Sequence, residues 1–240
     1  MPAPADSFAM GQGRLTHGPQ VNALVERTLE FVREELPHWR DRADRKPKTD
    51  EESLNAQLCK HLEARARQSQ FPVLFHHEER QTDRRRVDIS AGPAEGGFIG
   101  MTYHSIDDPF LVFEGKRLPT PGGKTREREY ATGHEEQSGG IQRFKLGLHG
   151  AKVKTAALIG YIQRGSPADW HERINLWITD LSTGLQLRDE KWTSHDHLRM
   201  LTYERAARTA SCESRHRRIA NCVSPDIQLR HLWVEMSRPL

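Results

Sequence analysis

The feature that most constrains this chain is a short apolar segment that contains a carboxylate and an ammonium group. Residues 110–118 are rich in Phe, Leu and Val and lie between Pro109 and Pro119, a composition that predicts a β-strand. Glu114 and Lys116 lie within the segment, and because side chains alternate along a strand, both project from the same face. Ionisable groups are costly to bury unless they are paired or bind a metal ion. The segment therefore predicts a functional site as well as a strand.

Two helices are predicted before this strand. Apolar residues recur at helical spacing between positions 21 and 36, and Pro37 is a stop signal for that helix. The polar residues 38–48 then predict a loop. Thr49, with Glu52 three residues later, forms a capping-box pattern, which predicts that the second helix begins there.

Glu51 is the acidic residue of the second helix that we expect to point inward. It lies three residues before Leu54 and seven before Leu58, which belong to the apolar stripe of that helix. Residues at these separations share one face of an α-helix. Glu52 has a sufficient structural role as the partner of the cap, whereas Glu51 is available to a site.

The remaining apolar segments predict a mixture of strands and helices. Further strands are predicted at residues 72–77, 85–90, 155–162, 198–208 and 227–236. Helices are predicted at residues 141–148 and after Ser166, where Pro167 takes the first helical position. The polar segment 119–140 contains two Gly pairs and predicts a mobile flap. Strand and helix signals mix throughout the chain, which implies an α/β (α+β) layer architecture.

The composition is that of a polar globular protein. Lys and Arg number 36 against 33 Asp and Glu, so the net charge of +3 gives weak support for a polyanionic partner. The three cysteines cannot all pair with one another and form no C-x-x-C motif, which favours a reducing, cytoplasmic location. No apolar run approaches the roughly 20 residues of a membrane span, which predicts no membrane association. We expect one domain at residues 20–240 after a flexible tail at residues 1–19.

A second carboxylate, Asp88, lies on the strand predicted just before the apolar segment. Hydrolysis of a phosphodiester needs a hard cation that binds phosphate oxygens and lowers the pKa of a water molecule, and Mg²⁺ favours carboxylate ligands. We expect Asp88 and Glu114 to bind Mg²⁺, with Mn²⁺ as a substitute, and Glu51 to bind it directly or through a water. Lys116 would orient or deprotonate the attacking water and stabilise the transition state. The alternative is a structural ion pair between Glu114 and Lys116 on an edge strand.

Together these residues resemble the motif of the PD-(D/E)xK nuclease superfamily, the restriction-endonuclease-like proteins. The motif has an acidic residue at a helix start, here Glu51, then Asp88 on one strand and Glu114 with Lys116 on the next. Val87 stands where the motif name has proline. The resemblance implies that Glu51, Asp88, Glu114 and Lys116 are the catalytic residues of a metal-dependent nuclease.

The resemblance covers residues 49–163 and leaves residues 164–240 as a C-terminal elaboration. It implies a mixed central β-sheet flanked by helices and an endonuclease that acts on DNA rather than RNA. Members of this superfamily serve in restriction, repair or anti-phage defence, so it also suggests a defence effector with a protein partner. A homodimer is a further expectation, because cutting both strands of a duplex commonly needs two sites. The rival interpretation is a catalytically silent nuclease fold that binds nucleic acid or acts as a scaffold subunit.

Five polar or basic residues are candidates for holding nucleic acid. They are Arg86, Arg117, Gln142, Arg143 and Arg217. Arginine neutralises phosphates irrespective of base sequence. For each of the five, the alternative is a solvated surface position, which is the simpler interpretation for Arg217.

Two other kinds of site have less support. His195 and His197 form an H-x-H pair, but the sequence identifies no third ligand for a zinc ion. The sequence also contains no G-x-S-x-G element, which disfavours a Ser–His–Asp hydrolase.

Overall fold

The computed structural model describes residues 21–82, 85–99, 102–123, 126–133, 138–184, 191–218 and 222–236, and the predicted tail at residues 1–19 lies outside them. The α-helices of this part are α1 (Val21–Asp41), α2 (Glu51–Gln68), α3 (Gly140–Lys145) and α4 (Pro167–Thr183). The strands are β1 (Val73–Thr82), β2 (Arg85–Pro93), β3 (Gly97–Ile99), β4 (Thr102–His104), β5 (Leu111–Leu118), β6 (Thr155–Ile162), β7 (Arg199–Glu204), β8 (Thr209–Arg217) and β9 (Asp226–Glu235). Short 3₁₀ turns lie at Glu127–Tyr130 and Ser194–Asp196. Among the described helices, none combines the length and apolar character needed to cross a membrane.

Seven of these strands form one mixed sheet in the order β1-β2-β5-β6-β9-β8-β7. The central strands β5, β6 and β9 run parallel, and the strands outside them pair antiparallel. Strands β3 and β4 form a separate hairpin. The structure therefore confirms the predicted mixed α/β architecture, with helices against a central sheet.

Apolar side chains cover both faces of the sheet. One core lies between the sheet and helices α1 and α2, and the other lies between the sheet and helices α3 and α4. Because side chains alternate along a strand, Phe113 of β5 belongs to the first core and Val112 to the second. Glu114 and Lys116 consequently project to the side of Val112, which is the side of α3.

The first helix does not end at Pro37, so that prediction is wrong. It continues to Asp41 with the proline inside it. Trp39 is fully buried, with its ring centroid 5.7 Å from that of Tyr161, and Arg40 donates to a backbone carbonyl of the β7–β8 turn at 2.9 Å. These tertiary contacts outweigh the proline, which costs about 3 kcal/mol in a helix interior.

The second helix begins one residue later than predicted. Asp50, and not Thr49, is its N-cap, and the Asp50 carboxylate accepts a hydrogen bond from the Ser53 N–H at 2.9 Å. Glu52 is exposed, and Glu51 is the first residue of the helix. The predicted capping box between Thr49 and Glu52 is therefore wrong.

The C-terminal region contains a hairpin where one strand was predicted. Strand β7 ends at Glu204, and the chain turns into β8 at Thr209. The residues between the strands predicted at 198–208 and 227–236 are largely β8, whose Cys212, Ser214 and His216 alternate toward the interior. Polar residues on the buried face concealed the strand pattern.

Two other local predictions are confirmed. Strand β6 has the predicted bounds, and α4 begins at Pro167 with Ser166 as its N-cap. The segment predicted as a mobile flap is instead anchored in its described part, because Tyr130 is fully buried. Its hydroxyl accepts a hydrogen bond from the Trp233 indole N–H at 2.8 Å.

Candidate active site

Lys116 lies near the carboxyl end of β5, where its ammonium contacts two carboxylates. Lys116 Nζ is 2.6 Å from Glu51 Oε1 and 3.2 Å from Glu114 Oε1. The other oxygen of Glu51 accepts a hydrogen bond from the Arg117 backbone N–H at 3.3 Å. Burial by itself would lower the pKa of Lys116, but Glu114, Glu51 and Asp88 raise that pKa above its ordinary value. The ammonium is therefore charged, and its contact with Glu51 holds the start of α2 against β5.

Glu114 is fully buried and faces three basic side chains. Its Oε1 accepts a hydrogen bond from Arg143 Nη1 at 2.5 Å. Its Oε2 is 2.9 Å from His149 Nδ1, although these two atoms are not aligned for a hydrogen bond. Burial by itself would raise the pKa of this carboxyl, but Lys116, His149 and Arg143 hold the pKa well below its usual range. Glu114 is consequently ionised at neutral pH.

Asp88 lies on β2 where that strand separates from β5. Backbone pairing between the two strands runs from Ala91 to Ile89, and Asp88 is the next residue. Its Oδ2 accepts a hydrogen bond from the Gly115 N–H at 2.7 Å. The Asp88 carboxyl thus takes the place of the backbone carbonyl that a paired strand would offer to this N–H. Burial first, and the charge of Glu114 second, raise the pKa of Asp88 to about 8. A second negative charge beside Glu114 is thus unfavourable in this arrangement.

The absence of a side chain at Gly115 allows α2 to pack close to β5 at the site. A Cβ at this position would lie 2.0 Å from Asn55 Oδ1, so only glycine permits this close approach of the helix. Asn55 Oδ1 also accepts a hydrogen bond from the Tyr161 hydroxyl at 2.7 Å. Glu51 precedes Asn55 by four residues and shares its helix face. The glycine between the two motif residues therefore lets α2 bring Glu51 to Lys116.

The structure brings together all four residues predicted to be catalytic, namely Glu51, Asp88, Glu114 and Lys116. Across the described ranges, no three His, Cys, Asp or Glu side chains are arranged as a metal-binding group. The Lys116 ammonium lies between two of the carboxylates instead. The donors are nevertheless those that Mg²⁺ prefers, and within the described part of the chain buried Glu114 Oε2 has no aligned hydrogen-bond partner. The residues thus fit a hard divalent cation by their donor chemistry.

Two of the residues predicted to hold nucleic acid border this site. Arg143 pairs with Glu114 and keeps 29% of its side chain exposed. Arg117 Nη2 donates to Gln163 Oε1 at 3.0 Å. A third, Arg86, lies on β2 two residues before Asp88 and is exposed, in an ion pair with Glu78 at 2.8 Å.

The structure does not bring Gln142 or Arg217 to a substrate-facing position at the site. Gln142 is buried, and its Oε1 accepts hydrogen bonds from two backbone N–H groups of the preceding segment, at 2.9 and 3.2 Å. Arg217 pairs in register with Asp226, whereas Lys116 is level with Trp233 across β6 and β9. Asp226 and Trp233 are seven residues apart on β9, so Arg217 lies roughly 23 Å along the strand direction from the level of Lys116.

The sequence did not predict that His149 belongs to the site. It lies in a tight turn after α3, between Gly147 and Gly150, whose φ angles are +65° and +61°. The sequence signal is a histidine among glycines after a helix, which predicts a turn. It does not indicate which strand the imidazole will face.

A second buried polar cluster, here named the polar chain, lies beside α3. Hydrogen bonds of 2.6–2.8 Å run from Lys145 through Asp196, His216, Ser214, His231 and Tyr130 to Trp233. Three consecutive members have the connectivity of a Ser–His–Asp triad, but all three are buried and the serine hydroxyl is shared by two imidazoles. The polar chain therefore serves the fold rather than a hydrolytic reaction.

Comparison with known proteins adds no family assignment. No protein-family model, no curated protein and no solved structure matches this chain.

Proposed function

We propose that this protein is a metal-dependent nuclease that hydrolyses phosphodiester bonds of nucleic acid, with DNA favoured over RNA, on a restriction-endonuclease-like core. The observation that carries the proposal is the meeting of Glu51, Asp88, Glu114 and Lys116, from one helix and two strands. A structural ion pair needs one acid for each base. Here Lys116 and Arg143 balance Glu51 and Glu114, and Asp88 is a further carboxyl whose pKa is raised to about 8 by burial and by Glu114.

Asp88 and Glu114, supported by Glu51, would hold the divalent ion, Mg²⁺ or Mn²⁺. When bound, such an ion neutralises charge at the phosphate and lowers the pKa of a water molecule. The rest of the chemistry belongs to the chain. Lys116, held by Glu51 at 2.6 Å, orients the attacking water and stabilises the negative charge that builds up on the phosphate. Arg143, partly exposed at the rim, would bind a phosphate of the substrate.

Supercoiled plasmid incubated with the purified protein tests the proposal. We expect nicking in Mg²⁺ or Mn²⁺ that EDTA abolishes and that Glu114→Gln reduces to background. Glu52→Gln is the matched control, because Glu52 is exposed one residue after Glu51 on the same helix. Parent protein that leaves the plasmid intact in both metals, with single-stranded DNA and RNA also uncut, would contradict the proposal.

A second candidate function is a catalytically silent nuclease fold that binds nucleic acid or forms a subunit of a larger defence complex. The observation that favours it is that Arg143 and Lys116 already neutralise Glu114 Oε1 from within the chain. This candidate predicts retardation of a labelled duplex without cleavage, and the same retardation in EDTA as in Mg²⁺.

A further inference from the structure

The turn after α3 holds His149 against the buried carboxylate of Glu114. His149 is 3% exposed, and its backbone N–H donates to the Arg143 carbonyl at 3.3 Å. Its ring packs edge-on against Phe144, with centroids 6.1 Å apart. Gly150 follows with a φ of +61°, and a Cβ there would lie 3.1 Å from a valine of β5. The imidazole therefore has little freedom to move.

The two oxygens of Glu114 have different surroundings. Oε1 is contacted by Arg143 at 2.5 Å and by Lys116 at 3.2 Å. Oε2 faces His149 Nδ1 at 2.9 Å, and neither of these two buried atoms has an aligned hydrogen-bond partner among the described residues. Their juxtaposition at a candidate metal ligand indicates a role at the site.

We propose that His149 is a positioning residue, which fixes the carboxylate of Glu114 so that Oε2 is presented to the divalent ion. This inference rests on the proposed function. Arg143 and Lys116 hold only Oε1, and a carboxylate held at one oxygen can still turn about its own axis. The imidazole against Oε2 removes that freedom. Groups that orient a metal ligand in this way commonly change metal affinity about 10–100-fold when they are replaced.

Calorimetric titration of the full chain with Mn²⁺, in the absence of nucleic acid, tests this role. His149→Phe keeps an aromatic ring but removes the nitrogen, whereas His149→Asn keeps a group that can donate to Oε2. We expect His149→Phe to weaken Mn²⁺ binding about 10–100-fold and His149→Asn to recover most of the loss. His77→Ala is the control, because His77 is an exposed histidine of β1. Circular dichroism of each variant reports whether the fold is retained.

Each outcome bears on the inference. Mn²⁺ affinity of a folded His149→Phe protein equal to that of the parent would overturn it. Loss of the fold in both His149 variants would also overturn it, because that result would establish a structural role. Failure of the parent protein to bind Mn²⁺ would overturn both the inference and the proposed function. A parent that binds Mn²⁺ as tightly as His149→Phe does would overturn the inference alone.

Discussion

Lys116 Nζ lies 2.6 Å from Glu51 Oε1, which joins a central strand to the first residue of a helix 65 residues earlier in the chain. The same ammonium also contacts Glu114. It therefore stabilises the packing of α2 on the sheet, and in the proposed reaction it is also the group that acts on the attacking water. Experiments on this residue must measure cleavage and stability separately.

Replacement of Lys116 by methionine should remove both contributions. We expect Lys116→Met to abolish cleavage and to lower the free energy of unfolding by about 3 kcal/mol, because Glu51 and buried Glu114 both lose a contact with a cation. Plasmid nicking and urea unfolding measure the two effects. Lys60→Met, at an exposed position of α2, should change neither. A variant that cuts like the parent would refute the assignment of Lys116.

Asp88 should make the metal-free protein less stable as the pH rises. Its pKa is raised from 3.8 to about 8 by burial and by Glu114, so the fold favours the protonated carboxyl. That stabilisation is complete below about pH 4 and is lost as the pH rises through about 8. Asp88→Asn retains an acceptor for the Gly115 N–H and cannot ionise.

The comparison of parent and Asp88→Asn isolates this one group. In EDTA, we expect the variant to become more stable than the parent by roughly 2 kcal/mol at alkaline pH, a value discounted from the full linkage because Asp88 is partly exposed. Chemical unfolding across this pH range measures the difference. Parallel stability curves for the two proteins would show that the Asp88 pKa is not raised.

Arg143 should compete with a divalent ion for Glu114. Because its guanidinium lies 2.5 Å from Glu114 Oε1, Arg143→Ala should tighten Mn²⁺ binding several-fold. The same change should weaken binding of a DNA duplex and reduce the slope of its salt dependence by about 1. Arg86→Ala, near the site but paired with Glu78, should leave Mn²⁺ affinity unchanged. Unaltered affinity for both ligands would show that Arg143 serves only the fold.

Gly115 should not tolerate a side chain. The Cβ of Gly115→Ala would lie 2.0 Å from Asn55 Oδ1, so the buried Asn55 amide must be displaced, and α2 with it if the amide has no room to turn. We expect a loss of about 1–3 kcal/mol in stability, as for other overpacked sites, together with a loss of cleavage as Glu51 moves. Gly97→Ala is the matched control in a strand, because the nearest atom to its Cβ would be 4.0 Å away. Equal stability of the two alanine variants would contradict the close approach of α2.

The sequence predicted the elements whose signals are local. Strand β6 is a continuous apolar run, and the start of α4 is marked by Ser166 as N-cap and Pro167 as the first helical residue. Contacts between distant residues caused the errors. Helix α1 passes through Pro37 because Trp39 packs against Tyr161, more than a hundred residues later in the chain. No local pattern could have indicated that contact.

The site was predictable to the same extent. Alternation along β5 placed Glu114 and Lys116 on one face, and helical spacing turned Glu51 inward. The sequence could not predict which side chains pair with these charged groups. The pairing of Glu114 with Arg143 and its contact with His149 depend on how α3 and its turn fold back over β5. The buried position of Gln142 depends on the same packing.

The polar chain limits how far this protein can be shortened. It links Lys145 of α3 and Tyr130, both within the first two thirds of the sequence, to side chains of β8 and β9. A fragment that stops after β6 would lose the hydrogen bonds that join Lys145 to Asp196 and Tyr130 to His231 and Trp233, at about 1 kcal/mol each. Residues 49–163 are consequently not a detachable catalytic module, because the last three strands complete the interior on which the candidate active site depends.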